Sequence, residues 1–208
     1  MRFINFISAR FDTILQLTLE HIIIVLIAMV ISIVMGVTVG ILITKNKLVA
    51  KIVLNFANIM MTIPSLALFS ILIPFMGIGK GPAIFGLVAY TQLPIIRNVY
   101  TGILSINPSI IEVARAMGLT DKKILYKVKI PLALPAIIGG IRTSVVMGIG
   151  IGAIAGYIGA GGLGVYIFQG ISRTSDVMIL IGAVLISIIA ILSDRFLRLI
   201  QNKLDHWR

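Results

Sequence analysis

The side chains able to do chemistry in this chain are few, and their densest run lies in one stretch. Glu112, Arg115, Asp121, Lys122, Lys123, Lys127 and Lys129 all fall within NPSIIEVARAMGLTDKKILYKVKIPLALP, residues 107–135, a long polar interruption in an apolar sequence. Charges of both signs on a short exposed segment suit ion pairing at the rim of a protein contact rather than bond-making. The chain has no cysteine, so it offers no thiolate nucleophile or thiolate metal site. Its two histidines, His21 and His206, lie near opposite ends and form no ligand cluster. Gly159-Ala-Gly161-Gly162-Leu-Gly164 spells the dinucleotide fingerprint, which requires a strand before it, a helix after it and a downstream acid. Here it follows an apolar helical run. It reads instead as a re-entrant turn or tight helix contact, with Gly148, Gly150, Gly152 and Gly156 lining that contact. Gly79-Lys80 echoes a phosphate-binding loop, but Pro74 and Gly81 stand where that loop needs Gly and Ser/Thr. The chain therefore does not hydrolyse ATP, and it is expected to be non-catalytic.

A second set of polar groups lies beside proline breaks in the apolar runs: Pro64-Ser65, Tyr90-Thr91-Gln92 and Pro94. Polar groups at broken membrane helices either wet a solute path or only bond helix to helix. Tyr90 also offers a ring face to a quaternary ammonium group. Asp, Glu, Lys and His are missing from Ile22–Ile43, Ile52–Phe75, Ala83–Ile96 and Thr143–Tyr157, so a proton relay lacks its usual parts. Asp194 and Arg195, near the end of the last run, are expected to pair with each other.

The elements that must hold these groups are membrane helices. Of 208 residues 59% are hydrophobic and 12% charged, with a mean hydropathy of +1.11, well beyond a soluble domain's balance. A helix needs about 20 apolar residues to cross a bilayer. Five stretches qualify: 22–43, 52–75, 83–103, 136–157 and 177–200, the second and third interrupted by Pro64, Pro74 and Pro94. Residues 1–21 read as an amphipathic lead-in, with Phe3, Phe6, Ile7, Phe11, Ile14 and Leu15 at roughly helical spacing. Residues 22–200 form the membrane domain and 201–208 a cytoplasmic tail. Fourteen of the eighteen Lys and Arg fall on the side of the long loop and the C-terminus, which predicts N-out, C-in. The net charge of +11 follows from that rule and from attraction to lipid phosphate, not from nucleic-acid binding.

Within the loop, Ser109 and Glu112 form a capping box, with Asn107-Pro108 an alternative helix start. Gly118 stands at a C-cap, Thr120-Asp121 caps a second short helix with Ile124, Leu125 and Val128 on one face, and Pro131 ends it. Two short helices meeting at a glycine describe a docking element for another protein.

Glu112-Val-Ala114-Arg-Ala116-Met-Gly118, followed by Ile130-Pro131 and Leu134-Pro135, resembles the EAA loop of binding-protein-dependent ABC importers, with Val113 in place of the first alanine. The likeness runs over almost the whole chain. Met61-Thr-Ile-Pro64-Ser-Leu66-Ala, Gly77-Ile-Gly79-Lys-Gly-Pro82, Leu93-Pro94-Ile-Ile-Arg97-Asn98 and Gly159–Gly170 are similar to the glycine betaine/carnitine/choline permeases of osmoprotectant uptake. The resemblance implies an all-α integral membrane protein of the MetI-like permease fold, with five transmembrane helices, a cytoplasmic coupling helix and a bacterial cytoplasmic-membrane location. It implies that Glu112, Ala114, Arg115, Gly118 and Lys122 couple to a partner ATPase dimer, which binds ATP and Mg; no cofactor belongs to this chain. It further implies a second permease, identical or homologous, and a separate extracytoplasmic binding protein delivering solute at Met76–Pro82 and Gly159–Gly170. Pro64, Ser65, Tyr90, Gln92 and Pro94 are the candidate translocation path. The alternatives are the same architecture carrying methionine or another amino-acid derivative, or a secondary carrier or channel, which would have no reason to cap and punctuate its cytoplasmic loop this way.

Overall fold

The computed structural model describes residue 6 and residues 8–205, and among these every regular element is helical. Phe3 and Ile7 of the expected lead-in and His206 lie outside the described residues. The first long helix, α1 (Phe11–Ile43), is apolar on almost every side, as a helix surrounded by lipid and protein must be. It is continuous from Phe11, so the described part of the lead-in from that residue onward forms its first turns. Its buried stripe, Ile24, Ala28, Ser32, Gly36 and Gly40, advances in steps of four. The two glycines let a neighbour come close: a methyl at Gly36 would sit 2.7 Å from Ile95 Cγ2, and one at Gly40 2.6 Å from Val99 Cβ.

Asn46 caps α2 (Lys47–Thr62) by accepting from the Leu48 and Val49 amides. This helix stops at Ile63, held extended (φ −66°, ψ 129°) by the proline that follows. α3 (Ser65–Met76) then leaves at 97°. The expected span 52–75, read as interrupted by Pro64 and Pro74, is two helices meeting at one sharp bend. Only Pro64 breaks the chain; Pro74 lies inside α3 and Pro94 inside α4 (Lys80–Leu104).

α4 is the centre of the bundle, with α1, α2, α3 and α7 packed on it. The cytoplasmic-loop sequence forms α5 (Pro108–Ala116) and the single turn α6 (Asp121–Ile124). A wide π turn, Leu125–Lys129, leads from α6 straight into α7 (Ile130–Gly152). Pro131 thus does not end the second loop helix, as expected, but sits in the first turn of α7, where a missing N–H is tolerated. A 3₁₀ turn and a glycine loop follow, then α8 (Gly164–Ser172) and α9 (Asp176–Asp205).

Three helical runs are long and apolar enough to cross a membrane: Phe11–Ile43, Asp121–Gly156 and Asp176–Leu204; the bent α2–α3 pair would make a fourth. α4 is not among them, because Tyr90-Thr91-Gln92 and Arg97-Asn98 lower its hydropathy. A helix walled by other helices can carry such groups where a lipid-facing one cannot. Large apolar side chains meanwhile stay exposed along α1 and α9, among them Leu26 (60%), Val34 (64%) and Phe196 (65%), the surface of a multi-pass membrane protein.

Candidate functional site

The polar loop is built as a closed two-helix elbow. Asn107 Oδ1 accepts from the Ser109 amide at 3.0 Å and Pro108 opens α5, so the Asn-Pro start is used rather than the Ser109–Glu112 box. At the far end Leu119 N–H donates to Ala114 O (3.2 Å) and Gly118 N–H to Arg115 O (2.9 Å), the paired bonds of a Schellman stop. Gly118 takes φ +80°, with no neighbour near enough to obstruct a side chain, so its glycine is required by backbone conformation alone. Thr120 Oγ1 accepts from Lys123 N–H to start α6, and Ile124 plugs the elbow into the bundle at 1% exposure. Arg115 reaches across the turn to Asp121 (3.2 Å), an exposed pair that orients more than it stabilises.

The elbow has two unlike faces. Glu112 and Arg115, three residues apart, border a cavity of about 250 Å³ with Lys129. Ile110, Val113 and Met117 form an exposed apolar stripe on the other side of α5, at 43%, 60% and 75% exposure. Val113, the departure from the EAA pattern, points outward, so its added bulk enlarges the exposed stripe. Ala114 is buried against its own chain, whereas Lys122 is exposed.

Of the second predicted set, Gln92 borders a cavity that Pro64, Ser65, Tyr90 and Pro94 do not line. Successive residues on α4 point about 100° apart, and Tyr90, Thr91 and Gln92 accordingly face three directions. The Tyr90 hydroxyl donates to Ile63 O, tying α4 to the bend beside Pro64 and Ser65. Thr91 Oγ1 meets Ser32 Oγ of α1 at 2.7 Å and donates to Leu87 O, while Ser144 Oγ of α7 donates to Thr91 O at 2.8 Å. All three hydroxyl residues are fully buried. Gln92 borders an apolar cavity of about 320 Å³ between α1, α2 and α4, its Nε2 buried without a partner among the described residues. Pro94 is buried in α4, and its carbonyl accepts from Asn98 Nδ2 at 2.8 Å.

Two groupings escape sequence reasoning. Asp194 does not pair with Arg195: adjacent residues on a helix diverge. It accepts from Arg142 of α7 through Nε and Nη2, and from Arg198 one turn on, while Arg142 Nη1 donates to Gln201 Oε1. The only signals were an arginine inside an apolar run and the four-residue spacing of Asp194 and Arg198. At the opposite end, Glu20 Oε2 accepts from Gly162 N–H (3.1 Å) and His21 Nε2 lies 3.1 Å from Ile149 O. The glycine motif is thus a saddle for α1. Gly148, Gly152 and Gly156 make close contacts as expected, but Gly150 has open space around it.

A capped two-helix elbow between two long helices, set on a bundle of long apolar helices, is the arrangement to compare with known proteins. The profile of the family described as "Binding-protein-dependent transport system inner membrane component" matches residues 32–206. The chain belongs to this family. This inner-membrane component is similar to curated proteins over most of its length. It is 42% identical over 199 residues to the glycine betaine/carnitine/choline transport system permease protein OpuCB of Bacillus subtilis, covering 96% of this chain and 92% of that one. It is 44% identical over 191 residues to the osmoprotectant import permease protein OsmW of Salmonella typhimurium, covering 89% of each. Among solved structures, the MetNI methionine ABC transporter in an inward-facing conformation superposes with a TM-score of 0.80 at 27% identity, covering 94% of this chain and 98% of that one. An amino acid ABC transporter with histidines gives 0.81 at 18% identity, covering 97% and 98%, which speaks for the fold alone.

Proposed function

We propose that this chain is the permease subunit of an ATP-driven importer for quaternary ammonium osmoprotectants: glycine betaine, carnitine or choline. The observation that carries the cargo is the 42% identity to the B. subtilis glycine betaine/carnitine/choline permease across almost both chains. Methionine, the alternative, has the support of two solved structures of a methionine transporter at 27% and 28% identity. In this reading α1, the bent α2–α3 pair, α4, α7 and α9 are five spans, N-out and C-in, in the bacterial cytoplasmic membrane. The elbow offers Ile110, Val113 and Met117 to a groove on a separate ATPase dimer, with Glu112, Arg115 and Lys122 as rim charges. Gly118 sets the angle at which they are presented. ATP and Mg bind the partner. A second permease completes the path, and an external binding protein docks at Met76–Pro82 and Gly159–Gly170.

Because α6 runs into α7 without a break, movement of the docked elbow is delivered to the bundle as movement of one rigid rod. The test is uptake of labelled glycine betaine into vesicles holding the permease, its ATPase and its binding protein. Uptake is expected to need ATP and to fall at least about tenfold in Gly118→Pro, which cannot adopt φ +80°, and in Glu112→Lys, with membrane insertion unchanged. Uptake without the ATPase would overturn the importer reading, and ATP-driven uptake of methionine alone would overturn the cargo.

A further inference from the structure

Between α4, α7 and α9 lies a cavity of about 630 Å³, within the roughly 300–1,000 Å³ of small-molecule sites. Arg142 and Asp194 cross it, and Asn98, Thr143, Gln201 and Met147 line it. Both charges belong to runs apolar enough to span a membrane. Ionised side chains within membrane-spanning runs face a water-filled cavity or the bundle interior, because hydrocarbon cannot solvate them. Their side chains keep 26% and 25% of their surface exposed, so the pair is within reach of a solute as well as of water. Asn98, Thr143 and Gln201 extend the same polar lining, beside the methyl-bearing Val146 and Met147.

An ion pair in such a place is held by mutual need: taking one partner away leaves the other uncompensated. A neutral solute cannot enter it, and a simple cation satisfies Asp194 only. A zwitterion can replace both partners at once, carboxylate to guanidinium and quaternary ammonium to carboxylate, leaving no charge bare. Arg198, already on Asp194 at 3.0 Å, tilts the local sum to one net positive charge. The cavity therefore favours the solute that brings a carboxylate. We propose that this cavity is a zwitterion-binding station on the solute's route, in which Arg142 receives the carboxylate and Asp194 the quaternary ammonium group. This rests on the importer reading above and deepens it: it distinguishes glycine betaine and carnitine from choline, which has no carboxylate.

The test is solute binding to the detergent-solubilised permease–ATPase complex without its binding protein, read by saturation-transfer NMR on the N-methyl protons of glycine betaine and of choline. The wild type is expected to bind glycine betaine about tenfold more tightly than choline, the worth of one charge-assisted hydrogen-bonded contact. Arg142→Gln is expected to erase that preference and Arg142→Lys to keep most of it, with ATPase rate and gel-filtration profile confirming intact complexes. No binding by the wild type, or a preference unchanged in Arg142→Gln, would overturn the station. If the wild type binds glycine betaine with this preference but never imports it with ATP, the importer reading falls and the cavity assignment stands.

Discussion

α7 presents two sides that are built on opposite principles. Toward α4 it offers Gly140 and Ser144, and the contact is dry and short. A methyl on Gly140 would lie 2.7 Å from Asn98 Cβ and 2.8 Å from Pro94 O, and the Ser144–Thr91–Ser32 hydroxyl chain runs through wholly buried atoms. Toward α9 it offers Gly139, Arg142 and Thr143, and the contact is a cavity spanned by long charged side chains. Hydroxyls and glycines fix two helices at one separation, because their reach is short and their partners are backbone. A guanidinium on three methylenes keeps its carboxylate over a range of separations. α7 is thus held at one distance from α4 and joined to α9 over a range of distances.

Adjacent glycines make the sharpest break of this comparison. Gly140→Ala drives its methyl into backbone and is expected to destabilise the protein by about 2–3 kcal/mol, the cost of overpacking a site that cannot yield. Thermal unfolding in detergent would register it, and an unchanged midpoint would mean the α4–α7 contact is looser than described. Thr91→Val keeps the shape but strips Ser32 of its partner, for an expected loss of about 1–2 kcal/mol in the same measurement. Gly139→Ala, one residue from Gly140, meets only the end of the Gln201 side chain at 3.2 Å. It is expected to change stability by less than about 0.5 kcal/mol, as substitutions near a yielding neighbour do. If the two alanines cost the same, the two sides of α7 do not differ.

Much of the elbow was legible because caps are local. Asn107-Pro108, Gly118 and Thr120 act on amides within a few residues, and each was found where its chemistry requires. The bend at Pro64 was half legible: proline marked it, but Pro74 and Pro94 carried the same mark and sit in continuous helices, where neighbouring packing compensates for the lost bond. Pro131 misled for a different reason, since a wide turn just before it makes room that a regular helix lacks. The Arg142–Asp194 pair joins residues 52 apart in sequence, and no periodicity reports such a pairing. The Glu20 and His21 contacts to the glycine loop were hidden likewise, because a saddle for another helix spells the same letters as a cofactor turn. Tyr90, Thr91 and Gln92 were legible as polar groups in the bundle, but the direction each takes was not: Tyr90 bonds to the bend at Ile63, Thr91 to Ser32, and Gln92 borders the cavity between α1, α2 and α4.

The π turn at Leu125–Lys129 has a consequence for chain length. A π turn holds about one residue more per turn than an α turn and takes it up locally, so the helical faces on either side keep their phase. Deleting one of the five residues would restore ordinary helical winding with Ile124 still facing its socket. Deleting a residue from the regular helix beyond it would instead swing the elbow about 100° around the rod's axis. In this stretch the chain can lose a residue without turning the elbow, and in α7 it cannot.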